Sequence, residues 1–131
     1  MVYNHNVKKT ILVFTTLIYL FIVVFFYLKP GQTTLVIGSD KFMHFAGFFA
    51  GGLWLVFLIL LRSSTAHVLS FLIFLFVSPP VLEFLQGYSP GRATDVMDIV
   101  ANYSGWIVPV GIFVIVKGVF SLFDRRLKRE S

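Results

Sequence analysis

Residues 10–28, 42–61, 63–82 and 99–116 contain no Lys, Arg, Asp or Glu. As α-helix, uncharged runs of 18 to 20 residues extend about 27–30 Å, the thickness of a bilayer's hydrocarbon core. Strands fit less well: the runs lack apolar/polar alternation, and four strands cannot close a barrel. Composition points the same way. Apolar residues make up 57% and charged residues 13% of the 131 residues, against about 45–50% and about 25% in soluble domains. Sixteen Phe in so short a chain need an apolar solvent of their own. A soluble enzyme, a disordered regulator and a nucleic-acid binder are excluded as first readings. The net charge of +5 comes mainly from residues that flank the apolar runs, a topological signal and not a polynucleotide footprint. Without Cys, disulfides, thiolate nucleophiles and Cys-ligated zinc are excluded.

The expected fold is therefore all-α: a polytopic membrane protein whose helices, about 10–28, 42–61, 65–86 and 96–116, form a compact bundle. A single domain fills 1–131, with a basic tail over 117–131. Lys8-Lys9 before the first run resembles the start of a signal peptide. That run is too long for one and leads into Lys-Pro-Gly, so an uncleaved anchor is expected. With four spans, both termini share a side with Arg62, and that side holds eight of the eleven Lys and Arg. Lys29, Lys41 and Arg92 lie on the other side. The asymmetry places both termini in the cytoplasm, and the connections around 31–39 and 87–94 on the outward face. Gly47 and Gly51 form a G-x-x-x-G on the second run, suited to close approach of another helix or, in a homo-oligomer, of a second copy; an internal neighbour is preferred. Pro79-Pro80 is expected to interrupt the third span. Pro109 stands where a small residue would continue a helix contact.

Of six acidic residues, four lie between Asp40 and Asp98, and the topology brings all four to one membrane face. Asp40, Lys41 and His44 open the second helix, Glu83 and Gln86 close the third, and Arg92, Asp95, Asp98 and Asn102 lead into the fourth. Residues three and four apart share a helix face. A charge at mid-bilayer costs about 2.5–3.5 kcal/mol on insertion scales, so such a set belongs near the interface, paired internally and lining a wet cavity.

The pattern Asp40-Lys41-x-x-His44-Phe45, followed by Glu83-x-x-Gln86-x-x-x-Pro90-x-Arg92-x-x-Asp95-x-x-Asp98-x-x-x-Asn102-x-x-Gly105, resembles the VanZ-like family of small bacterial membrane proteins. The likeness covers about half the chain, residues 40–105. It implies a cell-envelope protein with a link to low-level resistance against teicoplanin, a glycopeptide that acts on the wall. It supplies no reaction. The first helix and the segment from Lys117 onward carry no family motif.

Each polar residue also has a structural explanation. Ser39 or Gly38 can cap the second helix with Asp40 in its first turn, and Asp95 with Asp98 can do the same for the fourth. Lys41 can snorkel, and Arg92 can touch lipid phosphate. His5 and His67 have no polar company in the sequence and read as surface or loop residues. Glu83 fits no cap, and burial there calls for a partner such as Arg92 or Lys41. His44 has Glu83 and Asp98 as prospective neighbours.

Three functions follow from a polar pocket of Asp40, Lys41, His44, Glu83, Gln86, Arg92, Asp95, Asp98 and Asn102. The first is a binding module for the headgroup or sugar of a membrane lipid or lipid-linked wall precursor, with Arg92 for phosphate and the amides for sugar. The second is an integral-membrane enzyme on such a lipid, with His44, Glu83 and Asp98 as candidate acid/base residues and Arg92 stabilising charge. Within it, Glu83, Asp95 and Asp98, with or without His44, offer hard ligands to Mg²⁺ or Mn²⁺, although the spacing matches no metal motif. Transport ranks third, because the charges stay at one face. No nucleophile elbow, Walker loop or cofactor-binding motif is present.

The charge asymmetry makes a direct prediction. A cysteine placed near Gln32 or Gly91 should react with an impermeant thiol reagent on intact cells, and one near Ser64 or Ser131 only after lysis. Labelling of position 131 from outside would invert the topology.

Overall fold

A computed structural model describes residues 5–29 and 39–130. Four helices account for nearly all of them: α1 (His5–Leu28), α2 (Ser39–Leu60), α3 (Thr65–Gln86) and α4 (Val96–Glu130). The all-helical expectation holds, and each helix is long and apolar enough to cross a membrane. The make-up is that of a multi-pass membrane protein. The first connection, Gly38 as a cap, and positions 32 and 131 lie outside the described residues, as does the side chain of His5. The basic tail expected over 117–131 is different from a tail: α4 is one helix of 35 residues, about 52 Å long. Its last turns carry Arg125, Arg126 and Lys128 well past a hydrocarbon core of about 30 Å.

Large apolar side chains such as Phe14, Phe21, Phe76, Ile112 and Phe120 are exposed, while the interior is a short column including Phe48, Leu55, Leu58, Phe71, Leu75 and Leu82. In water that distribution would aggregate. In lipid it is neutral, because exposed Phe and Leu already sit in apolar solvent and helices associate through packing and interhelical hydrogen bonds. The most extensive contact is α2 against α4. Two glycines set it, one from each helix. A Cβ on Gly52 would strike the Trp106 backbone and the Pro109 ring, and one on Gly105 would strike the Phe45 carbonyl and stand 3.0 Å from the Phe49 nitrogen.

Three sequence expectations change here. Gly47 is not a contact glycine, since a Cβ there meets nothing within 4 Å, whereas Gly51 faces the Tyr19 and Leu75 side chains of α1 and α3. The motif's spacing is present but the close backbone contact uses Gly52, one residue round the helix. Pro109 does not end the close contact: its ring packs on Gly52. Nor does Pro79-Pro80 interrupt α3, which is continuous through both. Pro80 deprives the Phe76 carbonyl of its helical donor, and the Tyr103 hydroxyl of α4 donates to that carbonyl at 2.7 Å. A neighbouring helix has taken over the orphaned acceptor, the condition under which proline persists in a span.

The α2–α3 turn closes tightly. Ser63 N–H donates to Leu58 O at 3.0 Å and Arg62 N–H to Ile59 O at 3.0 Å, with Arg62 left-handed at φ 52°; this is a Schellman cap built on a residue other than glycine. Lys8 of α1 donates to the Leu61 carbonyl at 2.6 Å. The short turn makes α2 and α3 neighbours of opposite direction. Long-range contacts then bring the C-terminal ends of α1 and α3 to the N-terminal ends of α2 and α4.

Gly105→Ala should therefore push α4 off α2 and destabilise the protein by on the order of 1–3 kcal/mol. Gly47→Ala should be neutral or stabilise by about 0.5–1 kcal/mol, since it removes only helix-interior glycine entropy. Thermal unfolding in detergent distinguishes the two; equal shifts would refute the glycine-set contact.

Candidate functional site

The end of the bundle where four helix termini meet holds a closed circuit of polar contacts. It begins at the start of α4. Asp95 is the N-cap, its Oδ1 accepting from Met97 N–H at 2.8 Å, and its own N–H donates to Glu83 Oε1 at 2.6 Å. Glu83, 2% exposed, thus fastens the C-terminal turn of α3 to the N-terminus of α4. The Gln86 amide, oriented by its hydrogen bonds, donates to Glu83 Oε2 at 3.2 Å and accepts from Arg92 Nε at 3.2 Å. Arg92 in turn donates to Asp40 Oδ1 at 3.1 Å. His44 Nε2 faces Asp40 Oδ1 at 3.6 Å and Asp98 Oδ2 at 3.5 Å. Lys41 contacts Asp98 Oδ1 at 3.2 Å and pairs with Asp95, which closes the circuit.

Beneath it lies a buried arm. His44, 4% exposed, has Nδ1 2.7 Å from the Tyr27 hydroxyl, and the two rings pack edge to face at 4.7 Å between centroids. Tyr27 donates to Asn102 Oδ1. Asn102 is 0% exposed, and its Nδ2 has no hydrogen-bond partner among the described residues. Both ring nitrogens of His44 are thus directed at protein groups.

All nine residues expected to converge do come together, but several pairings differ from expectation. Glu83 pairs with neither Arg92 nor Lys41; a backbone N–H and an amide satisfy it. The carboxylates beside His44 are Asp40 and Asp98, with Glu83 absent from that contact. A metal set of Glu83, Asp95, Asp98 and His44 does not form, since Glu83 and Asp95 are spent on capping α4. The group that clusters is Asp40, His44 and Asp98, with one donor atom of each within 4.8 Å of the others. Asp40 is more than a dipole partner, because it holds Arg92. Tyr27 is a site residue that sequence reasoning missed. A tyrosine near the end of an apolar helix reads as an interfacial anchor, and its depth, matched to that of His44, was the available signal.

Next to the circuit a cavity of about 440 Å³ is lined by residues of α1 and α2 together with Gln86 and Arg92. One part of its wall is apolar, with Ile22, Val23, Phe26, Met43, Ala46 and Gly47; the other presents Tyr27, Lys29, Asp40, His44, Gln86 and Arg92. A second polar cluster lies toward the α2–α3 turn. His67 does have polar company, contrary to expectation: Nε2 is 3.0 Å from Thr16 Oγ1 and Nδ1 2.9 Å from Ser63 Oγ. Trp54 donates to the same Thr16 hydroxyl at 2.8 Å. Thr16 and Trp54 belong to other helices, so sequence proximity gave no sign of them.

No protein-family model, curated protein or solved structure matches this chain. Fold and site together are those of a small protein with four helices long and apolar enough to cross a membrane, a charged circuit at one end of the helix bundle and an amphipathic cavity beside it.

Asp95 lies between the spans, where its hydrogen bond from Lys41, and secondly that from Met97 N–H, hold its carboxyl below the usual carboxylate range. A folded-state value below the unfolded one contributes stability above the ordinary value of 3.8, and that contribution disappears as pH falls through the folded value. Asparagine caps helices as well as aspartate, so Asp95→Asn isolates the charge. The difference in thermal midpoint between wild type and Asp95→Asn should stay constant from neutrality to about pH 5 and shrink below about pH 4. A gap that widens on acidification would contradict the assignment.

Proposed function

We propose that this chain is a VanZ-like protein of the bacterial inner membrane, termini cytoplasmic, whose outward-facing pocket binds the headgroup of an envelope lipid or lipid-linked wall precursor. The observation that carries this is the division of the cavity wall. Apolar side chains line one part and charged and amide groups the other, the arrangement that suits a molecule with a polar head and a hydrocarbon tail. Arg92 offers a planar fork and Lys29 a point charge to a phosphate, and Gln86 offers an amide to a sugar hydroxyl. The spacing of polar residues from Asp40 to Gly105 supports the family reading. The excess of Lys and Arg at the opposite end supports the orientation. Holding a wall precursor at this site would shield it from a glycopeptide, which gives the teicoplanin link a physical route.

Gly47 provides the test. It lines the cavity, and a side chain there meets no protein atom within 4 Å, so Gly47→Leu should fill the apolar part while leaving the bundle intact. Binding of phosphatidylglycerol to the full chain in detergent, followed by native mass spectrometry, should fall at least tenfold (about 1.4 kcal/mol) in Gly47→Leu and in Lys29→Gln. Any glycopeptide protection in a bacterial host should fall with it. Unchanged lipid binding in Gly47→Leu would sink the pocket assignment.

A further inference from the structure

We propose that Asp40, His44 and Asp98 bind a first-row divalent cation, zinc before others, with one coordination position left open toward the cavity. The spacing around His44 is the first observation. Its Nε2 stands 3.6 Å from Asp40 Oδ1 and 3.5 Å from Asp98 Oδ2, beyond the range of about 2.7–3.2 Å in which an N–H···O hydrogen bond forms. A nitrogen on a ring only 4% exposed is therefore aimed between two carboxylates without a hydrogen bond to either. Donors bound at about 2.0–2.1 Å to a tetrahedral zinc ion lie about 3.4 Å apart, close to both separations. The remaining Asp40–Asp98 edge is no longer than 4.8 Å, and Asp40 is only partly buried, so rotation of its side chain can close the set.

The second observation is how the ring is held. Nδ1 is engaged by the Tyr27 hydroxyl at 2.7 Å, and Tyr27 is in turn fixed by Asn102. A metal-ligating histidine is oriented in this way, through its other nitrogen, by an outer partner. Each carboxylate also keeps capacity for an ion. Lys41 takes Asp98 Oδ1 and leaves Oδ2 toward His44, and a carboxylate oxygen such as Asp40 Oδ1 has two lone pairs, one for Arg92 and one for a metal.

Charge is the third. The circuit contains four carboxylates, Asp40, Glu83, Asp95 and Asp98, but only two fixed cations, Lys41 and Arg92. Glu83 accepts hydrogen bonds at both oxygens. A divalent ion between Asp40 and Asp98 would offset that excess of carboxylates over cations. Imidazole with two carboxylates suits zinc or manganese. His44 and Asp40 both line the cavity, so a fourth ligand, water or a phosphate oxygen, has access from that side.

The full-length protein in detergent, stripped with a chelator and freed of it by gel filtration, should take up one zinc ion per chain in a calorimetric titration with zinc chloride. Cobalt(II) in its place should give the intense visible bands of tetrahedral coordination. Loss of an orienting partner weakens metal sites about 10–100-fold, so Tyr27→Phe, which retains all three ligands, should fall in that range and Asp98→Asn and His44→Ala below it. Asp124→Asn, in an exposed ion pair far along α4, should bind as wild type does. If His44→Ala fails to remain monodisperse, Tyr27→Phe and Asp98→Asn carry the test. Absence of stoichiometric zinc in the wild type, or unchanged affinity in Asp98→Asn and Tyr27→Phe, overturns the proposal. No lipid is added, so the result is independent of whether the cavity binds a headgroup.

Discussion

Glu83 is a carboxylate that the fold has removed from solvent, and most of the polar end of the protein follows from what that requires. In the apolar interior no water replaces a missing partner, so a buried charge persists only when protein groups satisfy it. Its two oxygens take the Asp95 backbone N–H and the Gln86 amide. The first contact fixes where α4 begins, and the second aligns Gln86 to receive Arg92. From there the circuit runs through Asp40, His44, Asp98 and Lys41 back to Asp95. Removing one member of a buried ionic set costs about 3–5 kcal/mol because it strands the others. The exposed pairs, such as Lys41 with Asp95, are worth far less individually.

The same solvent explains why the helices meet where they do. Lipid tails are as apolar as Leu, so burying Phe side chains gives little association energy, and close backbone contact and hydrogen bonds decide the packing. Gly52 and Gly105 provide the contact between α2 and α4. That approach sets His44 and Lys41 on α2 against Asp98 on α4 at distances of a few ångströms. α1 is attached by fewer contacts: Tyr27 reaches His44 at one end, Tyr19 donates to the Gly47 carbonyl at 3.0 Å, and Thr16 joins the His67 cluster near the other. The cavity lies along this less tightly packed seam, lined by residues of α1 and α2.

Electrostatics links the proposed pocket and the proposed metal. A circuit with more carboxylates than fixed cations repels an anionic headgroup, and Lys29 and Arg92 at its edge only partly offset that. A divalent ion on Asp40, His44 and Asp98 would reverse the sign at the inner end of the cavity. It would also present an open position where a phosphate oxygen would arrive.

The sequence by itself determined that this chain is helical, that it has four helices long and apolar enough to span a bilayer, and that its polar residues gather at one end. Length, absence of charge and the alternation of span direction depend only on local composition and on the thickness of the bilayer. The nine-residue polar set was legible for the same reason, since charged groups in an otherwise apolar chain stand out without any knowledge of packing. Partners were not legible. Whether Glu83 would face Arg92 or a backbone N–H, whether Gly47 or Gly52 would meet α4, and whether Tyr27 would reach His44 all depend on helix rotation about its axis. Rotation by one residue, about 100°, exchanges one set of neighbours for another while leaving the hydropathy of these almost uniformly apolar helices unchanged. Only the tertiary structure fixed those rotations, through two glycines and a handful of interhelical hydrogen bonds. For the same reason the continuity of α3 through Pro79-Pro80 was invisible beforehand, because the Tyr103 hydroxyl that accommodates it belongs to another helix.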